Sequence, residues 1–220
     1  MYKRQIIDTN RIDKIIPTIN FLLSKNAKII IISHVGRPKG KFKSDLSLQP
    51  IRDNLSSQVN ENVKLEKTNI FNLKKNELFK SADEKLIILE NIRFYPEEEN
   101  NNEKFSEHLA KLGDIYVNDA FSCSHREHAS VTSITKFIPS YSGLQINSEV
   151  EALKKITTEI KKPITCIIGG SKISTKIDII KNLIPKFDNI IIVGAMANNI
   201  FKYKGHNIGA SLFEKNSEKI

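Results

Sequence analysis

The 220-residue sequence contains no tryptophan and only two cysteines, two methionines and nine glycines. Each scarcity closes off a class of proteins. Cys123 and Cys166 are too few for the disulfide framework on which small secreted domains depend. Apolar stretches such as Ile29–Ile32 are short, against the roughly twenty residues that a bilayer-spanning helix needs. No apolar segment follows the basic start Met1-Tyr2-Lys3-Arg4, so no secretory leader is expected. The expected compartment is the cytoplasm. Without tryptophan or aromatics interleaved among its basic residues, the chain also lacks the stacking platform of single-strand nucleic-acid binders.

What the chain does have is positive charge. There are 34 Lys and Arg against 25 Asp and Glu, a net charge of +9, which attracts anionic partners. The abundance of Lys, Ile and Asn supplies part of that excess as plain compositional bias. Bias does not place arginines and histidines, so their positions carry more information.

Five apolar runs are continuous and rich in β-branched residues: Ile29–Ile32, Leu86–Leu89, Ile115–Val117, Ile164–Ile168 and Ile190–Val193. Strands covered on both faces have this composition. Between them lie helical patterns. Ile12, Ile15, Ile16, Ile19, Leu22 and Leu23 repeat every three to four residues after a candidate cap at Asp8 or Thr9, with Pro17 predicting a kink or a late start. Ser47 is placed to cap a second helix through Ile51, Leu55 and Val59, and Phe105, Leu109 and Leu112 mark a third. Ser148-Glu149-Val150-Glu151 reads as a capping box opening a helix that buries Val150, Leu153 and Ile156. The acidic run Glu97–Glu103 reads as a solvated loop. Strands alternating with helices predict an α/β fold, a doubly wound parallel sheet with helices on both faces.

Ligands of such sheets bind beyond the carboxyl ends of the strands, so the residues after each run are the candidates. Ser33-His34-Val35-Gly36-Arg37-Pro38-Lys39-Gly40 delivers an imidazole and an arginine fork, with Gly36 permitting close backbone approach. Glu90-Asn91-Ile92-Arg93-Phe94 puts Arg93 in the equivalent place, where a salt bridge to Glu90 or Glu97 is the competing explanation. Asn118-Asp119-Ala120-Phe121 leads to His125-Arg126-Glu127-His128. Three arginines on three loops point to an anion site. Cys123, His125 and His128 lie too close together on one loop to match the split pairs of a structural zinc site, so no metal is expected and both histidines read as polar loop or substrate-shell residues. Gly169-Gly170-Ser171-Lys172-Ile173-Ser174-Thr175-Lys176 predicts a phosphate cradle at a helix start, with Lys172 and Lys176 sharing one helix face. Its glycine spacing matches neither the Walker loop nor the dinucleotide fingerprint.

These blocks, in this order, resemble the phosphoglycerate kinase family from about Ile6 to the end of the chain. The resemblance implies a Rossmann-like N-terminal lobe at 1–146, an interdomain helix at 147–160 and part of a nucleotide-binding lobe at 161–220. It implies reversible phosphoryl transfer between 1,3-bisphosphoglycerate and ADP, giving 3-phosphoglycerate and ATP, with Mg2+ accompanying the nucleotide. By position, Arg11 resembles the arginine that stabilises the transferring group. His34, Val35, Gly36, Arg37, Arg93 and Arg126 match the glycerate-binding residues. Lys172 matches a lysine near the transferred group, while Gly170, Lys176 and Gly194 match nucleotide contacts. The family suggests a monomer acting on small molecules, with no nucleic acid or membrane.

Three departures qualify the match. The family's opening Arg-Val-Asp-Phe-Asn-type strand has no counterpart, and Met1–Gln5 looks foreign to it. That strand is expected to be central in its sheet, so its neighbours should be left as edges. The family chain is nearly twice this length, so this chain is expected to be weakly active or inactive. Finally, Val193-Gly194-Ala195-Met196-Ala197 stands where the family has Gly-Gly-Gly-Met-Ala. The rival reading is a non-catalytic module that binds phosphorylated metabolites or nucleic acid on the same basic edge, the latter marked by a steep salt dependence.

Overall fold

The computed structural model describes Ile6 and residues 8–215; the expectation about Met1–Gln5 falls outside them. The chain divides into two compact units, Met1–Glu149 and Val150–Ile220.

The first unit is organised around β3, Leu86–Leu89, whose four residues are all buried. It is flanked by β1, Ile29–Ile31, and β2, Val63–Glu66, in the order β1-β3-β2, and both pairings are parallel. Successive side chains of a strand point to opposite faces, and the cores follow that rule. Leu86 and Ile88 join Ile29, Ile31, Val63 and Leu65 against Ile12 and Ile19, from the helices α1 (Asn10–Asp13) and α2 (Ile16–Ser24), and against Leu55 of α3 (Gln49–Gln58). Ile87 and Leu89 join Ile30 and Ile32 against Leu78 of α4 (Lys75–Leu78) and Phe105 and Leu109 of α6 (Glu103–Ala110). Helices on both faces of a parallel sheet make the doubly wound α/β fold. Each fully buried Ile or Leu of β3 contributes about 1.5–3 kcal/mol of apolar transfer.

A second parallel pair, β4 (Tyr116–Asn118) and β5 (Ser140–Ser142), completes the unit. Tyr116 and Ile138 pack against the same core as Ile30 and Ile32. Among the described residues, however, β4 pairs only with β5, and β1 only with β3. Among the described residues both therefore have one edge without a strand partner. Neither β2 nor β5 was anticipated, because β2 alternates with Lys64 and Glu66 and β5 reads Ser-Tyr-Ser. The run beginning at Ile115 starts its strand one residue later, and Ile115 is 54% exposed.

Two helix expectations are corrected, and the late start expected at Pro17 is met. The pattern from Ile12 to Leu23 is split into α1 and α2, with Pro17 in the first turn of α2, where its missing N–H costs nothing. Leu48 rather than Ser47 is the N-cap of α3; Ser47 Oγ, one residue earlier, accepts from Gln49 N at 3.2 Å and donates to Glu90. The long helix α7 begins at Leu144, so Ser148 lies inside it rather than capping it. Its start is capped from a distance, by Thr18 and Asp119. Val150, Leu153 and Ile156 of α7 are 38%, 42% and 45% exposed rather than buried. The run Glu97–Glu103 is likewise no simple loop: Pro96–Glu99 forms α5, and Glu98 is buried.

The second unit holds the parallel pair β6 (Thr165–Gly169) and β7 (Asn189–Val193), with the helices α8 (Ile177–Leu183) and α9 (Ala195–Tyr203). Met196 is fully buried, whereas Ile167, Ile191 and Val193, on alternate positions, remain exposed. Among the described residues no helix is long and apolar enough to cross a membrane.

Candidate active site

The loops that follow β1 and β3 are locked together by backbone capture. Asn91 is fully buried. Its Nδ2 donates to Val35 O at 2.8 Å and Leu46 O at 2.9 Å, and its Oδ1 accepts from Arg93 N at 3.1 Å. Glu90 secures the start of α3: Oε1 accepts from Leu48 N at 2.8 Å and Oε2 from Ser47 Oγ at 2.7 Å. Gly36 has φ +66°, and a Cβ there would come within 2.7 Å of Leu46 Cδ2. Its Cβ-free backbone thus fits against Leu46 and bends the loop beyond His34.

On this frame the cations gather. His34 is pushed down from 6.5 to about 4, first by burial and then by the charges of Arg93, Arg126, His128 and Arg11. These cations come from four places in the chain: α1, the turn after β3 and two positions on the loop after β4. The imidazole is held neutral because burial deprives a proton there of hydration, and the neighbouring positive charge opposes it further. Arg93 is 4% exposed, and its Nη1 donates to Gly36 O at 3.3 Å. Its Nε lies 3.5 Å from Glu99 Oε1, rather than pairing with Glu90 or Glu97. Arg93 Nε and Nη2 are buried with no hydrogen-bond partner, as is Arg126 Nε. Buried guanidinium donors without acceptors are costly, and they suit an anion.

Arg37 behaves differently. It is exposed and is not among the charges acting on His34. Arg11 is exposed as well but does act on His34. His128, read from the sequence as a polar loop or substrate-shell residue, also acts on His34.

In the second unit Gly170 and Gly194 lie at the ends of β6 and β7. Gly194 has φ +68° and caps α9, and Met196 N donates to Gly170 O at 3.0 Å. The expected cradle is rearranged. Helix α8 starts only at Ile177, so Lys176 is its N-cap and Lys172 stands in the turn before it. The two lysines therefore do not share a helix face. The intervening turn is held by Lys176 N to Ile173 O at 2.9 Å and by Ser174, whose N donates to Glu214 Oε2 at 3.0 Å. The Ser174 hydroxyl also donates to Glu214, and this bond leads the causes that hold that carboxyl below its usual range.

Among the described residues no group of three or more His, Cys, Asp or Glu side chains is placed to hold a metal ion. Magnesium usually binds through one or two carboxylates plus substrate phosphates.

A family model described as phosphoglycerate kinase matches residues 1–220. The chain belongs to this family. Phosphoglycerate kinases of Wolbachia pipientis wMel and Finegoldia magna are 45% and 42% identical over 217 and 212 residues, covering 98% and 96% of the chain. The match takes in 54% of each relative, so the chain spans about half the length of the curated relatives it matches. Among solved structures, phosphoglycerate kinase from Coxiella burnetii superposes with TM-score 0.84 and 34% identity, over all of this chain and 55% of that one. The Pyrococcus horikoshii phosphoglycerate kinase gives 0.81 and 27%, over 95% and 53%.

Sequence reasoning identified the arginines of the phosphoglycerate kinase pattern but missed the groups that hold them. Glu90 and Asn91 were visible only as neighbours of Arg93. Glu98 was lost in an acidic run. The one hint was Pro96, a helix starter that turns the run into a helical turn with an inward position.

Proposed function

We propose that this chain binds 3-phosphoglycerate at the Arg11, His34, Arg37, Arg93 and Arg126 cluster, on the glycerate side of the transfer between 1,3-bisphosphoglycerate and ADP. In that reaction the phosphoryl group leaves a carboxylate oxygen and joins the terminal phosphate of ADP, giving 3-phosphoglycerate and ATP. Family membership supports the reaction class. The observation that carries the site is His34, on which Arg93, Arg126, His128 and Arg11 act from three segments of the chain, with Arg93 and Arg126 bearing buried N–H groups that have no hydrogen-bond partner.

Phosphoryl transfer needs alignment and charge neutralisation more than an acid or a base. In this reading Arg93 and Arg126 offer their orphaned N–H groups to the anionic ends of the glycerate, with Val35 and Gly36 shaping the backbone beside them. Arg37 reaches the ligand from solvent, and Arg11 and Lys172 bear on the transferring group. Gly170, Lys176 and Gly194 approach the phosphates of ADP or ATP, which brings its own Mg2+. Residues 1–146 form the glycerate lobe, 147–160 the linking helix and 161–220 part of the nucleotide lobe. The protein acts as a cytoplasmic monomer on small molecules. Spanning half of its relatives, the chain retains glycerate binding and turns over weakly or not at all.

Titration calorimetry with 3-phosphoglycerate tests this, with circular dichroism confirming the fold. Saturable binding that disappears in Arg93→Ala and Arg37→Ala is expected. A folded chain giving no heat would remove the glycerate site from this protein.

A further inference from the structure

Of the run Glu97-Glu98-Glu99, one side chain is withdrawn from solvent: Glu98 is only 3% exposed. Its Oε2 accepts from Ser130 N at 2.9 Å and its Oε1 from Ser130 Oγ at 2.7 Å. His128 Nδ1 stands 3.6 Å from Oε1. The backbone oxygen of Glu98 accepts from Ala129 N at 2.9 Å. Two of these residues are also held from other sides. Tyr116 OH donates to Ser130 O at 2.8 Å, and Ser106 Oγ to Ala129 O at 3.0 Å. Residues 128–130 are therefore gripped immediately after Arg126. On the other side, α5 starts just beyond the turn that carries Arg93, and Glu99 faces Arg93.

We propose that Glu98 is a positioning residue, fixing the loop that bears Arg126 and His128 relative to Arg93 and so setting the geometry of the anion site. The proposal rests on the reading of this cluster as the 3-phosphoglycerate site. Two alternatives differ from it in sign. Glu98 is an anion near an anion site, so its charge alone opposes ligand binding, and removing that charge would tighten it. A residue that only supports the fold would lower stability and leave affinity alone. Positioning predicts that loss of the carboxylate weakens binding in a chain that is still folded.

The test is Glu98→Gln in the whole chain, which preserves size. It is followed by calorimetry with 3-phosphoglycerate, circular dichroism and the imidazole 15N signals of His128. Losing charge-assisted hydrogen bonds to this loop should raise Kd about ten-fold, with the His128 ring signal displaced. A folded variant whose Kd is unchanged or lower overturns the proposal. If Glu98→Gln does not fold, Ser130→Ala takes its place; it removes one donor to the carboxylate and should raise Kd several-fold, and an unaltered Kd is again decisive against the idea. If the unmodified chain itself ignores 3-phosphoglycerate, the site reading fails. The positioning role is then judged on the His128 ring alone, whose signal must move in Glu98→Gln for the proposal to stand.

Discussion

Thr18 Oγ1 donates to Asp119 Oδ2 at 2.5 Å across 101 residues of sequence. The same hydroxyl accepts from Leu144 N at 3.0 Å, and Asp119 Oδ1 accepts from Ile146 N at 3.1 Å. Together they cap α7, doing for its first turn what a local Ser or Asp usually does. Asp119 also lies in the loop between β4 and Arg126, so the start of α7 and that part of the site share one carboxylate. Gly143 permits this closeness: a Cβ there would fall 2.3 Å from Asp119 Oδ1.

Thr18→Val keeps the shape of this buried residue and removes both bonds of the hydroxyl. A loss of about 1–2 kcal/mol is expected, the value of a cap plus a partly buried hydrogen bond. Urea unfolding should show a lower midpoint with an unchanged slope. An unmoved midpoint would mean that water replaces the hydroxyl without loss.

Asn91→Ala should be more severe. It strips the partners from Val35 O, Leu46 O and Arg93 N in a fully buried place, for an expected loss of about 2–4 kcal/mol. The loop from Gly36 to Lys41 should also loosen, seen as faster tryptic cleavage after Lys39 and Lys41. Cleavage at the original rate would show that the loop is held by something else.

Arg93→Met separates stability from binding. The methionine fills similar space; it removes buried donors that lack hydrogen-bond partners but also the Nη1 bond to Gly36 O and the Glu99 ion pair, so stability should move by no more than about 1 kcal/mol. Affinity for 3-phosphoglycerate should fall below detection. A strongly destabilised Arg93→Met would show instead that the guanidinium serves the fold.

The pH behaviour of His34 has a definite sign. Its folded value is about 4 against 6.5 in the free state. Between the two, the unfolded chain takes the proton and the folded chain refuses it. The stabilising contribution is therefore complete above 6.5 and is lost as pH falls towards 4. A bound anion would offset the surrounding cations and draw a proton onto His34. Binding of 3-phosphoglycerate within this window should then take up protons, and affinity should rise as pH is lowered into it. Calorimetry in two buffers of different ionisation heat measures the uptake, with His34→Asn as baseline. Equal uptake by both proteins would take His34 out of the site.

The parts of the molecule legible in the sequence were those where one signal dominates. Leu86–Leu89 is apolar without interruption because both of its faces are covered, and it proved to be the central strand. Arginines following strands were traceable because sheet topology carries them to one edge. What escaped depends on distant partners. The Ser-Tyr-Ser of β5 becomes a strand only because β4 lies beside it, and α7 starts where Thr18 and Asp119 are, not where a local capping pattern suggested. Lys172 and Lys176 were placed on one helix face by spacing, but Ser174 binds Glu214 and the turn delays the helix. Glu98 is chemically identical to Glu97 and Glu99 and differs in what Ser130 offers it.

The alternation of β3 also fixes an order of events during synthesis. The core containing Leu86 and Ile88 draws on residues from Ile12 to Ile88, so it is complete as soon as β3 has been made. The core containing Ile87 and Leu89 needs Phe105, Leu109, Ala129 and Ile134. A chain emerging from the ribosome therefore completes one side of its sheet while the other, covered only from Ile70, Leu73 and Leu78, stays incomplete for some forty-five further residues, counting from Leu89 to Ile134. At roughly 5–20 residues per second that face is incomplete for several seconds. This is the interval in which a nascent-chain chaperone would find Ile30, Ile87 and Leu89 incompletely covered.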